Sequence, residues 1–207
     1  RYKLFYKLSI VNAIIVGFIS VKLFVIHQFF IKQWLGEENL FESIFTVLLF
    51  SIYLFSSKIR SILILYRDAL GIWDKDFYKP IVGVLVNLIL SFIFVNYFGV
   101  NGVLISSIIV LLTIYLPWEI VVVHKYIFSM KFIRFYLINI GIIISLIILN
   151  FIINHLFYIF IGLENSFFNL FLRIVFSCIV FSALFYNVFK FNKIKSLILK
   201  VLNTKNV

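Results

Sequence analysis

Hydrophobic residues fall in six long blocks, Leu8–Ile31, Leu40–Ser57, Ile81–Tyr97, Val103–Val123, Phe135–Phe157 and Phe167–Phe189, and polar residues gather in the breaks between them. A helix rises about 1.5 Å per residue, so blocks of this length match the roughly 30 Å hydrocarbon core of a bilayer. The pattern predicts an all-α membrane protein, a polytopic bundle of about six transmembrane helices. Three connections on one side are short, Lys32–Asn39, Phe98–Gly102 and about Tyr158–Ser166, which makes sequential helices antiparallel neighbours. Gly99 and Gly102 bracket the tightest of these turns. The longest connection, Lys58 to Pro80, holds a second apolar run, Ile59–Leu70, read as the second helix continuing to a C-cap at Gly71. Pro80 opens the third span in its first turn, where a missing N–H costs nothing.

Several blocks carry polar residues at helical spacing. Gly83, Asn87 and Ser91 recur every fourth position in the third, Ser106, Thr113 and Pro117 share a face of the fourth, and Asn139, Asn150 and Asn154 align in the fifth. Small and hydrogen-bonding residues so placed pack helix against helix in lipid; lining an aqueous cavity is the alternative. The C-terminal tail, residues 190–207, repeats apolar positions at Phe191, Ile194, Leu197, Ile198, Val201 and Leu202 between lysines. It predicts a basic amphipathic helix on the inner leaflet.

Composition strengthens the membrane reading: 64% of residues are hydrophobic and 13% charged, against about half and a quarter in soluble domains. A formal charge of +11 would point to nucleic acid in a soluble protein, but its distribution gives it another meaning. Of the 19 basic residues, 16 lie in alternate connections and the ends; Lys32 alone occupies the opposite loops, and Lys22 and Arg173 lie inside spans. The positive-inside rule puts the basic side, including both ends, in the cytoplasm, and no nucleic-acid partner is expected. The one cysteine, Cys178, excludes an internal disulfide. The residue usage resembles that of a low-GC bacterium. The chain starts at Arg1 and its only methionine is Met130, from which a fragment lacking an N-terminal portion is expected.

Lys22 stands near the middle of a 24-residue apolar block. A mid-bilayer charge costs roughly 2.5–3.5 kcal/mol on insertion scales, so it is a functional candidate by default. Its i±3 and i±4 neighbours are Phe18, Ile19, Val25 and Ile26, and Ile31 is about 14 Å away, beyond comfortable snorkelling. A cavity, an acidic partner in a missing portion or a neutral amine would each accommodate it. Arg173 lies two turns inside its span, on a face with Asn169 and Ser177, near enough to snorkel outward. Glu119, beside Pro117 and Trp118, is a candidate interface anchor, partner of the basic loop or gating residue. Asp74-Lys75-Asp76 has the DxD spacing of metal-dependent glycosyltransferases, but without a soluble domain around it we read a solvated charged turn. His27, His124 and His155 are scattered, no metal site or cofactor is expected, and no nucleophile–base pair or phosphate-cradling glycine loop occurs.

The series Tyr66-Arg67-Asp68-Ala69-Leu70-Gly71-Ile72-Trp73, Lys79-Pro80, Asn87-Leu88, Tyr97-Phe98-Gly99-Val100-Asn101-Gly102-Val103 and His124-Lys125-Tyr126-Ile127-Phe128 resembles the C-terminal part of bacterial polysaccharide-biosynthesis flippases. These are the O-antigen and capsule repeat-unit flippases of the multidrug/oligosaccharidyl-lipid/polysaccharide exporter superfamily. The resemblance implies that residues 1–128 form the last four helices of a C-terminal lobe and 129–189 an additional helix pair, followed by the cytoplasmic tail. It also implies a non-enzymatic function in the bacterial cytoplasmic membrane. The protein would move lipid-linked oligosaccharide, carried on undecaprenyl pyrophosphate, across the membrane by alternating access. Its partners would be that lipid, membrane lipids, the missing N-terminal lobe of the same chain and other polysaccharide-assembly proteins. Lys22 and Arg173 would then supply cations to an anionic cargo in the substrate pathway, and Glu119, Arg67 and Asp68 would serve gating or interface roles. A membrane-embedded polysaccharide polymerase or glycosyltransferase is the alternative.

Overall fold

The computed structural model describes residues 2–35, 44–128, 133–161, 168, 171–179 and 182. In chain order these form α1 (Tyr2–Leu35), α2 (Ile44–Lys58), α3 (Ser61–Ala69), a 3₁₀ turn (Asp74–Asp76) and α4 (Tyr78–Phe98). A single rod follows, made of α5 (Val100–Val110), a π-turn (Leu111–Tyr115), α6 (Leu116–Val123) and a second π-turn (His124–Phe128). α7 (Ile133–Ile161) comes next, and residues 171–179 are helical. Among the described residues, five helices are long and apolar enough to cross a membrane: Leu4–His27, Ile44–Ala69, Asp74–Phe98, Val100–Tyr126 and Phe135–Ile153. The chain is therefore an all-helical membrane protein. Most of the sixth expected span and all of the 190–207 tail lie outside the described residues.

Packing alternates as short connections require. At one end Phe5 of α1 meets Leu63 of α3, Leu116, Ile120 and Val123 of α6, and Phe135 of α7. At the other, Val21, Phe24 and Val25 of α1 meet Val47 and Leu48 of α2 and Ile153 of α7. The first end gathers the start of α1, the α2–α3 junction, the end of the α5–α6 rod and the start of α7, the parts of the chain richest in Lys and Arg. α4 contributes little to these clusters. Ile81, Val84, Leu85, Leu88, Ile89 and Phe92 all face outward, as suits a helix bathed in hydrocarbon.

The second helix does reach Gly71, but not unbroken. The ladder stops at Ile59–Arg60, where Asn12 of α1 donates to the carbonyls of Lys58 (3.0 Å) and Ile59 (3.4 Å), and Ser61 Oγ also donates to Lys58. These side chains satisfy carbonyls that a break would otherwise strand in an apolar environment. Past it, Ile72 N–H bonds Arg67 O (3.2 Å) and Gly71 N–H bonds Asp68 O (3.1 Å), a Schellman cap with Gly71 at φ +67°.

The Phe98–Gly102 turn is tighter than expected. Only Gly99 leaves helical geometry, at φ +57°, and α5 starts at Val100. Gly102 is instead a close-approach residue, since a Cβ there would lie 2.3 Å from Phe94 O. The Gly83/Asn87/Ser91 stripe packs helix on helix: Ser106 Oγ donates to Asn87 Oδ1 (3.0 Å) and lies 2.6 Å from Ser91 Oγ. Thr113 does not join Ser106. It is exposed and bonds back to Ile109 O (2.7 Å), because the π-turn starting at Leu111 shifts the register of the face. In α7, Asn150 Nδ2 donates to Ser51 Oγ of α2 (3.3 Å) and Asn139 back-bonds to Phe135 O (2.7 Å), while the side chain of Asn154 lies outside the described residues.

Candidate functional site

Among the described residues two regions hold charge inside the bundle, and they are built differently. The first is an ion cluster at the basic end. Arg60 sits in the α2–α3 break, Asp76 ends the 3₁₀ turn, Lys79 is the second residue of α4, and Glu119 projects from α6. Arg60 grips Glu119 with both ends of its fork, Nε to Oε2 at 2.8 Å and Nη2 to Oε1 at 2.5 Å. Lys79 Nζ bridges the two acids, 2.7 Å from Asp76 Oδ2 and 2.7 Å from Glu119 Oε1. Arg67 contacts the same Asp76 oxygen and pairs Asp68 at 2.7 Å. Three cations thus face three carboxylates, so the formal charge cancels. The side chains of Glu119, Asp76 and Lys79 are only 2%, 4% and 5% exposed.

The local backbone explains why these groups converge. Pro117 has no N–H to give to Thr113, and its ring would crowd that carbonyl in a regular helix. The π-turn at Leu111–Tyr115 immediately before it absorbs the mismatch, as π-turns do at such interruptions. Tyr115, the last residue of that turn, lies in the notch left by Gly83: a Cβ on Gly83 would sit 2.3 Å from the phenol Cζ and Oη. The ring there forms a floor under the cluster, 4.8 Å from the Arg60 guanidinium and 5.9 Å from the Lys79 ammonium. One atom is left over: Asp76 Oδ1 is buried and has no hydrogen-bond partner among the described residues.

Glu119, Arg67 and Asp68, singled out by sequence, all belong to this cluster. Arg60 and Lys79, which sequence reasoning gave no role, complete it. The Asp74-Lys75-Asp76 turn needs correcting. Asp74 is exposed and pairs Lys75 (2.7 Å), but Asp76 is buried with one oxygen held by two cations, so the turn is not simply solvated. The two acids face different environments. Among the described residues no cluster of His, Cys, Asp and Glu is arranged to hold a metal ion. His124 is packed between Phe5 and Phe135 with Nδ1 2.9 Å from Ile120 O, a core position.

The second region is the middle of α1. Lys22 Nζ reaches across to the helix of residues 171–179, lying 2.6 Å from Ile174 O, 2.6 Å from Ser177 Oγ and 2.9 Å from Cys178 Sγ. Phe18, one turn back on α1, presents its ring at 5.1 Å. An ammonium has three donors, and three acceptors meet them, all of them neutral. Among the described residues, its hydrogen-bond partners are thus neither acids nor residues of α1. Arg173, buried at 4% exposure, lies in the same turn, where Ser177 Oγ bonds its carbonyl at 2.7 Å. The two sequence-predicted pathway cations therefore belong to one helix pair, while Asn169 lies outside the described residues. Comparison with protein-family models, with curated proteins and with solved structures returned no match, so the flippase resemblance rests on the sequence motifs.

Proposed function

We propose that this chain is part of a flippase that carries lipid-linked oligosaccharide on undecaprenyl pyrophosphate across the bacterial cytoplasmic membrane by alternating access, and that it makes no glycosidic bond. The observation that carries the reading is the setting of Lys22. Its hydrogen bonds go to a carbonyl, a hydroxyl and a thiol, which hold the ammonium without neutralising it. A positive charge so kept inside a span attracts an anionic diphosphate through its field, and the diphosphate can take the place of one of the weak neutral acceptors. Arg173 adds a second cation to the same helix pair. The basic end is cytoplasmic in this reading, and the ion cluster with Glu119, Arg67 and Asp68 closes that end of the bundle. The Asp76 carboxylate, engaged by Lys79 and Arg67, is poorly placed to share a metal with Asp74, which weighs against the transferase alternative.

Deleting the full-length protein should leave completed lipid-linked repeat units on the cytoplasmic face. Lys22→Met should lower surface polysaccharide at normal protein abundance, and Lys22→Arg should retain more of it. Full export by the Lys22→Met protein would remove Lys22 from the pathway. Unfinished repeat units after deletion, or loss of sugar transfer in Asp74→Asn with Asp76→Asn, would favour the polymerase or transferase.

A further inference from the structure

Outside both charged regions, the basic end carries a surface patch that neither uses. Lys75 of the 3₁₀ turn and Lys125 of the second π-turn converge on one ring, Tyr126, with their ammonium groups 6.0 Å and 5.4 Å from its centroid. Trp118 of α6 donates its indole N–H to Lys75 O at 3.3 Å, which fastens the turn beside the rod. Each ammonium is attracted to the ring, and two cations beside one ring draw an anion more strongly than either would alone. The only carboxylate ion-paired to either lysine among the described residues is Asp74, 2.7 Å from Lys75. Lys125 has no acidic partner there. The patch of Lys75, Lys125 and Asp74 thus keeps one net positive charge.

Its depth is equally telling. Tyr126 ends the Val100–Tyr126 span and Asp74 begins the Asp74–Phe98 span, so both lie where hydrocarbon gives way to headgroups. The neighbouring side chains are amphipathic or aromatic and turned outward: Trp73 is 60% exposed, Phe77 65% and Tyr78 66%. Aromatic rings at this level are membrane-interface anchors, and lysines beside them reach lipid phosphates. A lone surface lysine would not define a place for a headgroup. Two lysines from different elements about one ring, with the turn of Lys75 held by an indole, do.

We infer that Lys75, Lys125, Tyr126 and Trp118 form a binding site for the phosphate of an anionic phospholipid in the leaflet at this end of the bundle. The two ammonium groups take the phosphodiester oxygens, the indole and phenol lie against the glycerol region, and Trp73 and Phe77 contact the upper acyl chains. This site is independent of the transport reading, since it uses none of the pathway or cluster residues.

The full chain reconstituted in phosphatidylcholine vesicles with and without phosphatidylglycerol, followed by native mass spectrometry of retained lipid, tests it. The wild type should retain phosphatidylglycerol over phosphatidylcholine. Lys75→Gln and Lys125→Gln should each weaken that preference about fivefold, the factor for a lysine near an anionic surface. Asp74→Asn, which removes the competing carboxylate, should strengthen it. Lys58→Gln, an equal charge change elsewhere on the same side, should leave it unchanged. The inference is overturned if Lys58→Gln weakens retention as much as Lys125→Gln, which would mean diffuse surface charge. It is also overturned if Asp74→Asn weakens retention, or if inorganic phosphate displaces the lipid, which would mean a free-anion site.

Discussion

The ion cluster at the basic end and the Lys22 contact in mid-span both hold cations between helices, yet among the described residues one cancels its charge and the other does not. In the cluster every cation meets a carboxylate, Arg60 and Lys79 on Glu119, and Lys79 and Arg67 on Asp76. At Lys22 the acceptors are Ile174 O, Ser177 Oγ and Cys178 Sγ. Opposed charges in low dielectric bind tightly and become costly to separate, so the cluster holds helices in place. Neutral acceptors solvate an ammonium while leaving its field intact. The first arrangement is suited to stability and the second to attracting a charged ligand.

The sharpest way to break this contrast is Glu119→Gln, which keeps shape but removes the carboxylate shared by Arg60 and Lys79. Stranding buried cations costs about 3–5 kcal/mol, so thermal unfolding in detergent should show a large loss of stability and cellular abundance should fall. A variant as stable as wild type would show that the cluster is not what holds this end together. Removing both partners of a pair should hurt less than the singles suggest. Lys79→Met combined with Asp76→Asn is expected to recover part of the summed loss, with a coupling of about 0.5–3 kcal/mol in a double-mutant cycle.

A smaller effect is expected from Gly83→Ala. The new methyl would overlap the Tyr115 ring, displacing the floor beneath Arg60 and Lys79, and overpacking of this kind costs about 1–3 kcal/mol. Unchanged stability would mean that Tyr115 can move without disturbing the ions. The smallest stability change belongs to Lys22→Met. Interhelical hydrogen bonds in membranes average about 0.6 kcal/mol each, and losing the three at Lys22 is offset by removing a charge that costs about 2.5–3.5 kcal/mol in a span, so unfolding should shift little although export falls. A Lys22→Met protein as unstable as Glu119→Gln would erase the contrast and make Lys22 a structural strut.

Much of the α1–α7 scaffold was legible because its signals are local. An apolar block long enough to cross hydrocarbon has few alternatives to a helix, since every backbone group must find its partner inside the block. Gly71 announced a cap because positive φ is cheap for glycine, and the Asn87/Ser91 spacing announced a helix contact because side chains four apart share a face. The misreadings were also physical. Thr113 left the Ser106 face because a π-turn, invisible to 3.6-residue counting, intervenes before Pro117. Gly102 was read as turn chemistry although its smallness serves contact with Phe94. Asp76 was read as solvated because nothing in Asp74-Lys75-Asp76 shows that Lys79 and Arg67 close over one of the two acids.

The sequence by itself determined that the chain is a helical membrane protein, and that Lys22, Arg173, Glu119, Arg67 and Asp68 are charges in need of explanation. Those conclusions follow from hydropathy and helical period, which depend only on neighbours along the chain. Only the tertiary structure decided which charges are spent on one another. Arg60 and Glu119 are 59 positions apart and Lys22 and Ser177 are 155 apart. Coulomb energy depends on distance in space and on the surrounding dielectric, and the fold alone sets both.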